Sequence, residues 1–345
     1  STAISPSTAD RTRAISSARF ISGLLGGLST TLLPVMMDLT NNGVWNLTLS
    51  HDFLILAVIA GTVGMALFSL AGYKTKERVV QTIKEPSVID GFKVMLKNKP
   101  LMLIILGNVL GTLTGLAGVF QTYYYSEVLN LSSAVLWINL PGTIFGFLTY
   151  LLIPKLKTKL DNRQIVMLNV ICRFVVSTLV FFAGLNFYKT NIAVISVLLM
   201  IQNFIFSFFN TINSVIPTEM IGDTVDYMEW KTGERNEGVS FSVLTFVGKL
   251  TGSVSTSLGT ALLPLIGLSF TTNAQGMQVA VKGENTDLYI WALYTIVPYV
   301  LGLLTLIPYA FYNLTGKRLA VIRAEMAERR SKLASEVSGG GVDDE

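Results

Sequence analysis

Charge, cysteine and histidine are all scarce in this sequence. Only 14% of its 345 residues are Asp, Glu, Lys or Arg, where a water-soluble domain carries about 25%. With 51% apolar residues beside that deficit, the chain reads as an integral membrane protein. The single cysteine, Cys172, excludes an intramolecular disulfide and a cysteine metal cluster. The single histidine, His51, reads as a solvated loop residue. There is no phosphate-cradling glycine loop, no Ser-His-Asp set and no His-Glu zinc motif, so no cofactor or metal is expected. A signal-peptide pattern is absent as well. The polar opening STAISPSTADRTRAISSAR looks like the middle of a longer protein.

What is present is a series of long apolar runs. Eight are long enough to span a bilayer, each needing about 20 residues. They fall near 15–38, 52–72, 100–124, 132–154, 164–186, 190–217, 238–266 and 288–313. If residues 1–19 are cytoplasmic, 22 of the 26 Lys and Arg lie on the inside. Only Lys189 and Lys282 fall outside, which follows the positive-inside rule. The net charge of +4 is therefore a topology signal, and no nucleic-acid partner is expected. Trp45, Trp137 and Trp291, with Tyr123 to Tyr125, would form an outer aromatic belt. Segment 314–345 is polar and charged and reads as a loose cytoplasmic tail with a short amphipathic helix.

Asp223 to Lys249 stands apart from these runs: DTVDYMEWKTGERNEGVSFSVLTFVGK. It begins as a charge-dense loop and becomes, near Gly238, an apolar helix with a lysine inside it. Lys249 lies about 16 Å along that helix at 1.5 Å per residue, near the bilayer midplane. A lysine there needs a carboxylate, a cavity or a lowered pKa, or serves a purely structural pairing. Ser242, Thr245, Lys249, Gly252 and Thr256 share one helix face. Asn203, Ser207, Asn210 and Ser214 form a second stripe, and Asn139, Thr143, Gly146 and Tyr150 a third. Amides both donate and accept, as sugar hydroxyls require, but the same stripes suit close packing between helices. Gly107, Gly111 and Gly115 face one way and read as packing. Arg173, also deep in a helix, has no role from the sequence.

The stretch from Asp223 to Lys249 resembles the loop between helices ten and eleven of the glycoside–pentoside–hexuronide:cation symporters, sugar transporters of the major facilitator superfamily. Matching positions are Asp223, Asp226, Tyr227, Glu229, Trp230, Lys231, Thr232, Gly233, Arg235, Gly238, Phe241, Ser242, Thr245, Phe246 and Lys249. Outside this stretch the likeness is mostly hydropathy and spacing. The resemblance implies an all-α membrane protein of two helical bundles, with eight membrane helices here corresponding to helices 5–12 of 12. Residues 1–72 would end the N-terminal bundle and 73–99 form the central cytoplasmic loop. Residues 100–313 would form the C-terminal six-helix bundle, and 314–345 the tail. It implies Lys249 at the cation site and Thr245 and Arg19 at the sugar. It also implies a cytoplasmic gate of Arg11, Arg163, Asp223, Asp226, Glu229 and Arg235. Ser214 stands where the family often has an aromatic that stacks on sugar, which leaves the cargo open.

The expected function is symport of a glycoside, pentoside or hexuronide with Na⁺ or H⁺ by alternating access. Substrate residues would be Arg19, Thr245, Asn210, Asn203 and Asn139. The expected setting is the bilayer of a cell membrane, a bacterial inner membrane, with the C-terminus cytoplasmic and the oligomeric state open. Two alternatives stand beside it: a carrier of a lipid-like or other amphipathic cargo in the same superfamily, and a membrane-embedded enzyme.

Overall fold

The computed structural model describes residues 32–45, 47–74, 96–149, 152–232, 237–272 and 278–316, with 318–322, 324–325 and 328 beyond them. Arg11, Arg19, Arg235 and most of the expected first span and central loop lie outside the described residues.

Among the described residues, nine helical stretches carry the fold. They are α1 (32–41), α2 (Leu49–Lys74), α3 (Lys99–Val128), α4 (Ala134–Thr149), α5 (Ile153–Lys157), α6 (Asn162–Gly184), α7 (Ile192–Thr232), α8 (Glu237–Leu265) and α9 (Thr286–Phe311). Five of these are long and apolar enough to cross a membrane: α2, α3, α6, α7 and α9. With α4 and α8 they fall on seven of the eight expected segments; the remaining one, 15–38, is mostly undescribed. The protein is a multi-pass membrane protein. A short hairpin between α8 and α9, β1 (Leu268–Thr272) with β2 (Gln278–Lys282), was not anticipated.

Four expectations need correction. Asp223 to Thr232 is not a loop: α7 runs unbroken through Pro217 to Thr232. At 1.5 Å per residue this helix is about 60 Å long, twice the hydrocarbon core. Its polar final turns can therefore stay helical outside the bilayer. The aromatic belt fails for Trp291, Tyr124 and Tyr125, which are buried. Their neighbourhood satisfies them internally: Tyr124 Oη donates to the Tyr188 carbonyl at 2.6 Å, and Trp291 Nε1 to that of Phe181 at 3.3 Å. Gly184 leaves room for the indole, against which a Cβ would collide. Finally, the first part of segment 314–345 is docked. Leu314 and Ile322 are buried in the core cluster, and Trp230 Nε1 donates to Glu325. His51, expected in a loop, sits exposed in the first turn of α2, its Nδ1 2.7 Å from Thr48 Oγ1.

The chain falls into two units. The first comprises Ser1–Glu85, Tyr125–Trp137 and Phe270–Val281. Here the Asp38 carboxylate accepts from the N–H groups of Ser132 and Ser133 at 2.8 and 2.7 Å, tying α1 to the entry of α4. Buried Asp52 accepts from Thr40 Oγ1 at 2.7 Å. Further along α2, Phe53, Leu54, Val58, Ile59, Val63 and Met65 are exposed, as on a lipid-facing helix.

The second unit comprises Pro86–Tyr124, Ile138–Ser269 and Lys282–Glu345. Helices α6 and α7 pack along their lengths. Small residues set the closest approaches, as is usual between membrane helices. A Cβ at Gly142 on α4 would meet Asn203 O of α7 at 2.7 Å. Gly115 abuts Ser255 of α8, and Gly107 abuts the Tyr309 ring of α9. Leu101, Ile104, Ile165, Ile212 and Ile216 fill the core at one end.

Candidate functional site

The inward face of α6 reads Val166, Asn169, Arg173, Ser177, Val180 and Gly184, at steps of three and four residues. Three polar members of that stripe meet α7 in succession. Asn169 Nδ2 donates to Asn213 Oδ1, Arg173 Nη1 to Asn210 Oδ1 at 3.3 Å, and Gln202 Nε2 to Ser177 Oγ at 3.3 Å. The rungs run antiparallel, as the two helices do. Above and below Arg173 this polar seam opens into two cavities, both within the second unit.

The larger has a volume of about 390 Å³. It is walled by the Val128 half of α3, the start of α4, the first half of α7 and the Thr286 half of α9. Its polar lining includes Asn139, Asn203, Asn210, Gln202 and Gln121, with Tyr294, Phe206 and Tyr299 beside them. The smaller, about 270 Å³, lies among the Lys99 half of α3, the Asn162 half of α6 and the Phe311 half of α9. Thr114, Arg173 and Tyr299 belong to both walls and form the neck between them.

Arg173 is held by rings on two sides. Its Cζ lies 4.7 Å from the Phe206 centroid and 5.4 Å from that of Tyr299. Those rings meet edge to face at 5.0 Å. Such cation–π contacts contribute about 0.5–2 kcal/mol each. Buried polar atoms usually have partners, yet Arg173 Nε, Asn203 Nδ2, Gln202 Oε1 and Asn169 Oδ1 are buried without a hydrogen-bond partner among the described residues. All four belong to side chains that line one or other cavity. The arrangement can offer amide donors and acceptors, aromatic faces and one positive charge to a polar guest.

The structure brings Asn139, Asn203 and Asn210 together in one wall, along with Thr143 and Ser207 of the same stripes. Ser214 instead turns back on its own helix, donating to the Thr211 carbonyl at 2.7 Å. Thr245 and Lys249 are not in either wall. Ser242, Thr245, Lys249, Gly252 and Thr256 do share a face of α8, and that face is exposed. The opposite face packs: Ser255 Oγ donates to the Thr112 carbonyl at 3.0 Å. Arg163 Nη2 donates to the Ala310 carbonyl at 2.7 Å. Asp223 is buried, and Asp226 and Glu229 are half-buried, on the last turns of α7. Arg173, Gln202, Phe206, Tyr294 and Tyr299 were not foreseen. The signal for Arg173 was available, because it continues the Asn169–Ser177 spacing.

Comparison with known proteins places this geometry. A family model described as MFS/sugar transport protein matches residues 2–316. A protein provisionally named a sulfoquinovose importer, from Escherichia coli (strain K12), is 26% identical over 83% of this chain and 59% of its own length. The isoprimeverose transporter of Lactiplantibacillus pentosus is 25% identical over 92% of this chain and 64% of its own. The glucuronide carrier protein homolog of E. coli is 24% identical over 79% and 57%. The chain spans about three-fifths of the length of these curated relatives. They are carriers and not enzymes, so the membrane-enzyme alternative falls away. The match over nearly the whole sequence, the multi-pass helical fold and the glycoside–pentoside–hexuronide type of these relatives lead to one conclusion: the chain belongs to the family of MFS/sugar transport proteins.

Proposed function

We propose that the protein is a secondary active transporter of a sugar or glycoside, working by alternating access in a bacterial inner membrane. The observation that carries this reading is the larger cavity. It places Asn139, Asn203 and Asn210 in one wall with the Phe206 and Tyr299 rings, the mixture of amides and aromatic faces that binds a polyol with an apolar ring face. Names of the relatives support a carbohydrate cargo. A lipid-like cargo is disfavoured, because a wall so rich in amides would lose its water partners without replacement.

Coupling to Na⁺ or H⁺ is part of the proposal, with Lys249 as the coupling residue and Thr245 and Arg19 as further sugar contacts. Arg11, Arg163, Asp223, Asp226, Glu229 and Arg235 are proposed to close the cytoplasmic side. These assignments follow the family resemblance of their positions. The test is uptake of radiolabelled glycosides, pentoses and hexuronates by the whole protein in proteoliposomes, under an imposed Na⁺ or H⁺ gradient. Uptake that follows one gradient and collapses at least tenfold in Lys249→Ala is expected. Uptake indifferent to both gradients would leave a uniporter, and no uptake of any sugar by folded protein would overturn the reading.

A further inference from the structure

We propose that Arg173 anchors an anionic group on the transported molecule, so that the two cavities take a polyhydroxylated organic anion, a sugar bearing a carboxylate or sulfonate, in preference to its neutral counterpart. This deepens the sugar-transport reading and rests on it.

Charge is the first argument. Among the described residues, neither cavity wall contains an Asp, a Glu or a Lys, and Arg173 is the one formal charge in both. Among the described residues it makes no ion pair. An arginine within a membrane span costs several kcal/mol unless it is paired or hydrated. Its ring contacts offset part of that, and no counter-charge offsets the rest. Position is the second argument. Arg173 sits at the neck, facing guests from either cavity, and a positive charge in low-dielectric walls focuses its field along them. Hydrogen bonding is the third. A guanidinium has five N–H donors; Nη1 finds Asn210, and Nε is buried with no acceptor. A carboxylate or sulfonate supplies two or three acceptor oxygens and the missing charge together, forming the strong charge-assisted pairs that arginine favours. Asn203 and Asn210, on either side, would take the hydroxyls of the same molecule.

The experiment uses the whole purified protein, with isothermal titration of methyl β-D-glucuronide and of methyl β-D-glucoside, which differ at one carbon. The wild type is expected to bind the acid at least tenfold more tightly. Arg173→Gln should weaken the acid at least tenfold more than it weakens the glucoside, and Arg173→Lys should retain part of the preference. Acetate and methanesulfonate should compete with the glucuronide in the wild type and not in Arg173→Gln, and the better competitor separates carboxylate from sulfonate. Equal affinity of the wild type for acid and neutral glycoside would overturn the proposal while leaving sugar transport standing. So would an equal loss of both in Arg173→Gln, since a purely structural arginine gives that result. If neither glycoside binds, thermal unfolding with acetate or methanesulfonate decides the anion site. Stabilisation of the wild type but not of Arg173→Gln upholds it, and no stabilisation overturns it.

Discussion

Arg173 and Lys249 are both cations about 16–18 Å along apolar helices, at 1.5 Å per residue, yet the second unit treats them in opposite ways. Arg173 points into the seam between α6 and α7, clasped by Phe206 and Tyr299 and bonded to Asn210. Lys249 lies on an exposed face of α8, among Ser242, Thr245, Gly252 and Thr256. Among the described residues, nothing lies within 4 Å of where a Cβ would stand on Gly248 or Gly252. One cation is a fixed part of a formed cavity; the other belongs to a polar stripe that this unit does not cover. Depth along a helix therefore says that a charge is costly, and the face it occupies says which partner it awaits.

The strongest way to break the comparison is to add bulk to each face. A leucine at Gly142 would place its Cβ 2.5 Å from Ser207 Oγ and 2.7 Å from Asn203 O. The Asn203 oxygen is backbone and cannot swing aside, so α4 must be pushed off α7. Overpacking of this kind costs about 1–3 kcal/mol or more, and it distorts the wall holding Asn139 and Asn203. Gly142→Leu is expected to lower the thermal unfolding midpoint sharply. Gly252→Ala, on the Lys249 face, should be neutral or gain up to about 1 kcal/mol from helix propensity. Equal losses in the two variants would mean that the α8 face is packed after all.

Much of this contrast was legible in the sequence, for reasons that differ by residue. Hydropathy and length placed the spans, and three- and four-residue spacing put Asn203 and Asn210 in one polar stripe and Asn139 in another, while only the structure brings the two stripes together. Resemblance marked Lys249 but said nothing of Arg173, since that position carries no family motif here. Spacing alone would have joined Arg173 to Asn169 and Ser177. The helical reach of α7 was missed because charge-dense residues were taken to end a helix at the membrane surface, although Asp223 to Thr232 lacks a glycine or proline to stop it. Trp291 was misplaced because a tryptophan near a span end fits both an interfacial belt and a buried cluster. Only the carbonyl of Phe181 and the absent side chain of Gly184 decide between them.

A smaller effect sharpens the contrast on the binding side. Asn210 holds the Arg173 guanidinium, while Asn203 presents a buried Nδ2 with no protein partner. Asn203→Leu removes a donor that only a guest or water can satisfy. It should weaken glycoside binding about tenfold, the equivalent of about 1.4 kcal/mol, with little loss of stability. Asn210→Leu should reduce affinity by a similar factor and also lower the thermal midpoint, because it strands the arginine. Titration and unfolding curves on the two variants check this together. If both asparagines affect binding and stability alike, the cavity wall is a packing seam.

The smallest effect tests whether Arg173 is kept for stability or at its expense. Replacing a half-buried charge that has no ion-pair partner among the described residues with an apolar side chain of similar length removes a solvation penalty, and such exchanges are often neutral or stabilising. The loss of two cation–π contacts acts the other way, by about 0.5–2 kcal/mol each. Because the guanidinium also lacks an acceptor at Nε, the penalty is expected to win. Arg173→Met should stabilise the folded protein by about 1 kcal/mol while losing selectivity for the acidic glycoside. Lys249→Met, on an exposed face, should change stability by less than about 0.5 kcal/mol. Thermal unfolding of both variants in the same detergent gives the comparison. A clear destabilisation by Arg173→Met would make the arginine a brace between α6, α7 and α9. A gain would mark it as a residue retained for what it binds.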